Sequence, residues 1–365
     1  MKGKLNVASV AGIRVEIHWT FAFILLWAAF IGWRSGGGFE AVLWSVLLFL
    51  TIFTCVVLHE FGHALTAKRY GVVTTRITLL PIGGVASLKS IPDNPRQELI
   101  IATMGPAVNV LIAVLLYPVI YTQLAALGSQ SQAKNLLLTI SSQNFLIYLF
   151  LSNVVLVIFN LIPAFPMDGG RILRAILSFR MGRVHATQIA ARLGQVIALL
   201  FLVLGLFYNP FLILIGLFVF FGASGEYTMV KQLDILQGHK MADAMMTHFT
   251  VFHPEDSLDL VANVLLSGAE CQFLVQGPDN EIVGLLDKKI LLDAFHTGKN
   301  NLRVADIMER DFTPVKADGD LKDIYRMVQQ KKQYFFPVIR DGELAGVIDM
   351  ENINEFIMIQ ANHDF

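Results

Sequence analysis

Three stretches of this chain, residues 99–133, 135–167 and 193–225, contain no Asp, Glu, Lys or Arg. Each is longer than the roughly 20 apolar residues that cross a hydrocarbon core about 30 Å thick. A backbone in lipid must satisfy its own N–H and C=O groups, so unbroken apolar runs of this kind are confined to helices. About six crossings fit the pattern: residues 17–33, 41–67, 99–121, 138–162, 193–207 and 211–221, the last two short and parted by the turn signal Tyr208-Asn209-Pro210. The charged content of 16% points the same way, against about 25% in soluble proteins.

Lys2, Lys4 and Arg14 precede the first span and predict a cytoplasmic N-terminus. Counting crossings then puts Lys68, Arg69, Arg76, Lys89 and Arg96 on that side, with Arg171, Arg174, Arg180 and Arg183, and leaves Arg34, Glu40 and Lys134 outside. An even number of spans returns the C-terminal part to the cytoplasm. With 28 Lys and Arg against 29 Asp and Glu, the net charge of −1 offers nothing to attract nucleic acid. Cys55 and Cys271 lie far apart and fit no disulfide framework or thiolate zinc spacing, which predicts a reducing compartment for the soluble part.

Within the second span the strongly ionisable groups are concentrated in Val57-Leu58-His59-Glu60-Phe61-Gly62-His63. Such groups are costly in lipid unless something compensates them. Residues four apart share one helix face, so His59 and His63 can hold one zinc ion with Glu60 beside it as a general base. Hydrolytic zinc needs a third protein ligand. Asp168 is the candidate, because Pro163 and Pro166 stop the fourth span and can turn the chain back. The residues alone allow a second role, with Asp168 capping the helix that carries Arg171 and Arg174. Zinc with ionised Asp168 and Glu60 sums to zero charge, which a low-dielectric site tolerates. His18 reads as an interfacial residue beside Trp19, and Cys55 as a small apolar filler. His239, His248, His253 and His296 lack paired spacing and read as solvated or core residues.

His59-Glu60-Phe61-Gly62-His63, Gly105-Pro106-Ala107-Val108-Asn109 and Asn160-x-x-Pro163-x-x-x-x-Asp168-Gly169 appear in this order, each on its own span or span end. Together they resemble the site-2 protease family of intramembrane zinc metalloproteases, over most of residues 1–226. The resemblance implies that His59, His63 and Asp168 bind one catalytic zinc per chain, that Glu60 activates water, and that Asn160 stabilises the reacting carbonyl or positions substrate. It implies an endopeptidase that cuts in or near transmembrane segments of membrane-protein substrates, in the inner membrane of a prokaryotic cell. Residues 73–88, with the turn Pro81-Ile82-Gly83-Gly84, resemble the family's membrane-associated strands. Asn160 could instead tie off its broken helix end, and Asn109 reads as a packing residue with an interhelical hydrogen bond. A transporter or channel with an intramembrane metal site is the competing function; the membrane half shows no repeated topology of the kind transporters carry, and Glu60 has no evident use there.

After Glu226 the composition turns ordinary and a repeat appears. Met241-Ala242-Asp243-Ala244-Met245 returns as Val304-Ala305-Asp306-Ile307-Met308, and at the same spacing Phe249-Thr250 returns as Phe312-Thr313 and Phe273-x-Val275 as Phe336-x-Val338. Each unit reads as a leading segment, a helix, a strand, a turn, a second strand and a helix. The pair resembles tandem cystathionine-β-synthase (CBS) domains, which implies a cytoplasmic α/β module, adenine nucleotide as ligand and a route to homodimers. The family's hydroxyl residue is replaced in both copies, which carry Asp287 with Ile290 and Asp349 with Asn352. A docking or dimerisation platform without ligand therefore stays open. The expected architecture is a polytopic α-helical membrane protein with a small membrane-associated sheet, plus the CBS pair: residues 1–226 membrane domain, 227–239 linker, 240–302 first CBS domain and 303–365 second.

Overall fold

The structure, a computed structural model, describes residues 4–81, 83–88, 94–125, 140–268, 270–297, 302–330 and 333–363. Lys2, Ile82, Lys89, Lys134 and the start of the 138–162 span lie outside them. The chain divides into two compact units, Met1–Lys231 and Gln232–Phe365.

The first unit opens with a hairpin of β1 (Lys4–Val10) and β2 (Ile13–His18), followed by α1 (Phe21–Arg34) and α2 (Gly38–Arg69). Strands β3 (Thr74–Leu80) and β4 (Gly83–Leu88) come next, then α3 (Pro95–Ala125), α4 (Phe145–Asn160), α5 (Asp168–Ser178), α6 (Arg183–Phe207) and α7 (Phe211–Ile235). Among the described residues four helices, α2, α3, α6 and α7, are long and apolar enough to cross a bilayer. Helices α1 and α4, with 14 and 16 residues, are apolar but shorter: 1.5 Å per residue gives them roughly 21 and 24 Å.

The helix bounds correct the sequence reading at both ends of the unit. The last two spans are not short; each has 25 residues, because α6 starts in the polar turn at Arg183 and His185 and α7 continues past Glu226 and Lys231. A charge-free window misses the turns that leave the hydrocarbon. Residue 17, conversely, lies in β2, and the first helix starts only at Phe21. The residues read as a linker, 227–239, are helical as far as Ile235.

The sheet runs β1-β2-β3-β4. Its β3–β4 pair is the one the sequence suggested; the N-terminal hairpin is an addition. Ala11 and Gly12 both have positive φ, 54° and 84°, the conformation that a tight two-residue hairpin turn requires. Strand β2 pairs in parallel with β3. Ile13 and Ile77, fully buried, pack with Ala64 and Phe61 of α2, so the sheet rests on the helix that carries both histidines.

The second unit contains α8 (Met241–Ala244), β5 (Val251–Phe252), α9 (Leu258–Ser267), β6 (Gln272–Gln276), β7 (Ile282–Asp287) and α10 (Lys288–His296). The second copy repeats them as α11 (Val304–Ile307), β8 (Val315–Lys316), α12 (Leu321–Gln330), β9 (Phe335–Arg340), β10 (Glu343–Asp349) and α13 (Met350–His363). Each copy forms a three-stranded sheet. The leading segments are exchanged: Met246 bridges Val347 and Glu309 bridges Leu285. Leu236 and Met241 accordingly lie in the core of the second copy, while Val304 and Met308 lie in the core of the first. The two copies therefore close each other's cores and do not part cleanly at residue 303. Asp287 accepts from Lys289 N at 2.7 Å and Asp349 from Asn352 N at 2.9 Å, so each caps the helix after its second strand.

Candidate metal centre

One helical turn separates His59 from His63 on α2, and their imidazole rings stand edge to face with centroids 4.8 Å apart. Their Nε2 atoms are 3.1 Å from each other, and Oδ2 of Asp168 lies 3.1 Å from both. All three side chains are buried. Among the described residues they form the one group of three or more side chains able to hold a metal ion.

Asp168 reaches this point because α4 ends at Asn160 and the chain folds back through residues 161–167. Backbone bonds hold the reversal, Ala164 N to Ile162 O at 2.7 Å and Met167 N to Ala164 O at 3.0 Å. A Cβ on Gly170 would stand 2.6 Å from Phe165 N, so only glycine lets α5 start this close to the turn. Met167 occupies the capping position of α5 and Asp168 is its first helical residue. The carboxylate faces the imidazoles instead of the helix end.

The outer ring nitrogens fix the tautomers. Nδ1 of His63 donates to the carbonyl of Ile101 at 2.7 Å, and Nδ1 of His59 donates to Oδ1 of Asn109 at 2.5 Å. A carbonyl only accepts, so both protons sit on Nδ1 and both Nε2 lone pairs point inward. The amide of Asn109 is itself oriented, since its Nδ2 donates to Oδ1 of Asn153 at 2.8 Å and Nδ2 of Asn153 donates to Leu149 O at 2.8 Å. Asn109 is thus more than the packing residue the sequence suggested. Both asparagines are fully buried. Gly105 of α3 lies directly behind the rings, where a Cβ would overlap the imidazole of His63 and come within 2.6 Å of Nε2 of His59.

With both imidazoles neutral, the three facing atoms are all acceptors, 3.1 Å apart, and repel one another. A cation resolves the conflict, and the spacing matches the roughly 3.3 Å edge of a tetrahedron with bonds of about 2.0 Å to nitrogen and oxygen. The donor set of two imidazoles and a carboxylate is one that zinc favours, with a corner left for substrate. Glu60 is half-buried beside His59, and its Cγ would lie 2.8 Å from a Cβ on Gly84 of β4. Asn160 is half-buried and spends one amide hydrogen on Leu156 O of its own helix at 3.0 Å. His18 bonds Thr20 at 2.7 Å, and Cys55 accepts from Nδ2 of Asn153 at 3.6 Å.

Residues 47–204 match Peptidase family M50 and residues 304–359 match the CBS domain. Over 354 residues the chain is 36% identical to the zinc metalloprotease MJ0392 of Methanocaldococcus jannaschii, covering 97% of this chain and 96% of that one. The chain belongs to peptidase family M50. It is a zinc metalloendopeptidase of the site-2 protease type, a multi-pass protein of the lipid bilayer whose substrates are membrane proteins, and it carries a CBS module. The solved site-2 protease from Methanocaldococcus jannaschii is 39% identical over 61% of this chain and 95% of its own, with a TM-score of 0.45. The CBS-domain containing protein ATU1752 from Agrobacterium tumefaciens is 16% identical over 33% of this protease and 96% of its own length, with a TM-score of 0.31.

The hydrogen bond from His59 to Asn109 carries a measurable consequence. Removing a partner that orients a ligating histidine typically weakens metal binding 10- to 100-fold. Asn109→Ala is expected to raise the zinc dissociation constant by roughly that factor, read by competition with a chromogenic chelator. An unchanged constant would show that His59 needs no such orientation.

Proposed function

We propose that His59, His63 and Asp168 hold the zinc of this protease, that Glu60 transfers the proton in peptide hydrolysis, and that Asn160 stabilises the developing oxyanion. The observation that carries the reading is the convergence of two inward-facing imidazole lone pairs and one carboxylate oxygen at mutual distances of 3.1 Å. A zinc ion held by His59, His63 and Asp168 would supply Lewis acidity, polarising a carbonyl and bringing the pKa of water toward about 7. Glu60, one residue from His59 and three from His63 on α2, takes the proton of the attacking water and delivers it to the departing amine nitrogen. The Asn160 amide nitrogen has two hydrogens, and Leu156 takes one; the second serves the developing oxyanion, where a placed donor is typically worth a few kcal/mol.

A peptide bond within a helix is hydrogen-bonded along its own backbone and must unwind to be attacked. Strand β4 is an edge of its sheet, and its Gly84 lies against Glu60. An unwound substrate segment adding to that edge would enter the site extended, with its carbonyls ordered by main-chain bonds.

Both termini lie in the cytoplasm in this reading, an orientation that the Lys and Arg asymmetry of the short loops supports; the membrane is taken to be the inner membrane of a prokaryotic cell. In this reading the membrane domain spans residues 1–226, the connecting segment 227–239 is helical as far as Ile235, and the CBS domains 240–302 and 303–365 complete each other through their leading segments. The CBS pair regulates the protease and provides the surface for a homodimer. Adenine nucleotide is the ligand class tested first there, by its effect on the melting temperature at millimolar concentration.

The decisive experiment is metal removal. Chelator treatment of the purified full chain in detergent is expected to abolish cleavage of a membrane-embedded substrate, and one equivalent of zinc to restore it. Cleavage that survives complete metal removal would overturn the reading.

A further inference from the structure

Six residues along α5 from Asp168, the side chain of Arg174 is almost wholly buried at 1% exposure. Its Nε and Nη2 donate to Oε1 of Glu98 at 2.8 and 2.5 Å, and its Nη1 donates to Oε1 of Glu226 at 2.6 Å. Glu98 stands in the first turn of α3 and Glu226 on α7. Arg183, at the start of α6, lies 3.7 Å from the other oxygen of Glu98. The ring of Phe165, in the turn that delivers Asp168, covers the guanidinium at 4.9 Å.

Stability alone does not account for such a cluster. Apolar residues of similar volume often do as well as a buried ion pair, because desolvation offsets most of the attraction. What a guanidinium fork adds is geometry, since its planar donors fix distance and direction at two carboxylates together.

The helix to which it is tied is also the one that orients both histidines. Glu98, Ile101, Gly105 and Asn109 recur at spacings of three and four and so lie along one stripe of α3. Ile101 accepts from His63 and Asn109 accepts from His59. Gly105 gives both rings their room. Glu98 completes the stripe, and Arg174 joins it to the helix that begins with Asp168.

We propose that Arg174 is a positioning residue for the metal centre: its fork onto Glu98 and Glu226 sets the register of α5 against α3 and thereby holds the Asp168 carboxylate at its distance from the two imidazoles. This rests on Asp168 being a zinc ligand, as argued above. Sequence patterning gives Arg174 only an orienting charge at the membrane surface. Its burial and its three short bonds assign it a place inside the catalytic domain.

The test is the full chain in detergent carrying Arg174→Met, Glu98→Gln and Glu226→Gln together, which removes all three charges of the fork; Arg183, which loses Glu98 as its partner, is 24% exposed and can be solvated. Three quantities are measured: the zinc dissociation constant by chelator competition, the melting temperature of the metal-free protein, and kcat and KM at saturating zinc. The expected result is a dissociation constant raised roughly 10- to 100-fold, as for loss of an orienting contact, with kcat lowered and KM unchanged. The melting temperature should stay near that of the parent. Arg174→Lys keeps the charge and loses the fork; it should fall between parent and triple variant, and it provides the same reading should the triple variant not fold. A zinc constant equal to the parent's, with or without a lower melting temperature, would reduce Arg174 to a packing role and overturn the proposal while leaving the zinc site intact. A parent that binds no zinc would remove the metal reading and this inference together.

Discussion

Glu60→Gln is expected to leave zinc at one ion per chain and to slow cleavage of a membrane-embedded substrate by roughly 100- to 10,000-fold, the range typical for losing a positioned general base. The substitution is nearly isosteric, so the packing of the side chain against Gly84 survives. What disappears is the capacity to accept a proton. None of the proposed ligand atoms is touched, because His59, His63 and Asp168 converge without help from Glu60. Elemental analysis of the variant together with single-turnover cleavage separates binding from chemistry. Turnover at the rate of the parent would remove Glu60 from the reaction.

Asp168→Ala has the second large effect, and it distinguishes the two roles that the sequence left open. As a helix cap, Asp168 would contribute about 1 kcal/mol to stability and its loss would leave metal binding untouched. As a ligand, it supplies one of three donors and the only negative charge among them. The expected outcome is loss of stoichiometric zinc and of activity, with helical content retained. Retention follows because Met167 holds the cap position and the reversal into α5 is fastened by backbone bonds. Circular dichroism and zinc content measured on the same sample check both halves of this expectation.

How much of the site was legible in the sequence depended on how locally each part is built. His59, Glu60 and His63 occupy a single helical turn, so spacing alone reveals their common face. Asp168 arrives from more than a hundred residues away through a turn that no periodicity describes, and it needed the combination of three motifs. Asn109 is visible in the sequence as a polar residue in an apolar span, but neither its bond to His59 nor its partner Asn153 is. Their signal was nevertheless present: a carboxamide in a charge-free span must find a partner. Arg174 was read as an orientation signal because positive charge beside a span usually marks the cytoplasmic face. Only its bonds to Glu98 and Glu226 reveal it as interior.

The fold shows the same division. Charge-free runs located the helices but not their ends, since α6 and α7 carry polar turns beyond the apolar stretch. The hairpin of β1 and β2 gives a weak sequence signal because it precedes a span and carries scattered charge, although Ala11-Gly12 marks its turn. The repeat in the second unit was plain from Met241 and Val304 onward. That each leading segment completes the opposite copy is a property of pairing between copies, which a repeat by itself does not encode.

The central claim is that two imidazoles of α2 and the carboxylate at the head of α5 share one metal ion. Its most direct test is the zinc content of the full-length parent, purified without chelator and equilibrated with trace zinc, beside that of Asp168→Ala. One zinc per chain in the parent and little in the variant is the predicted result. A parent without stoichiometric zinc, or a variant that retains it fully, would contradict the account.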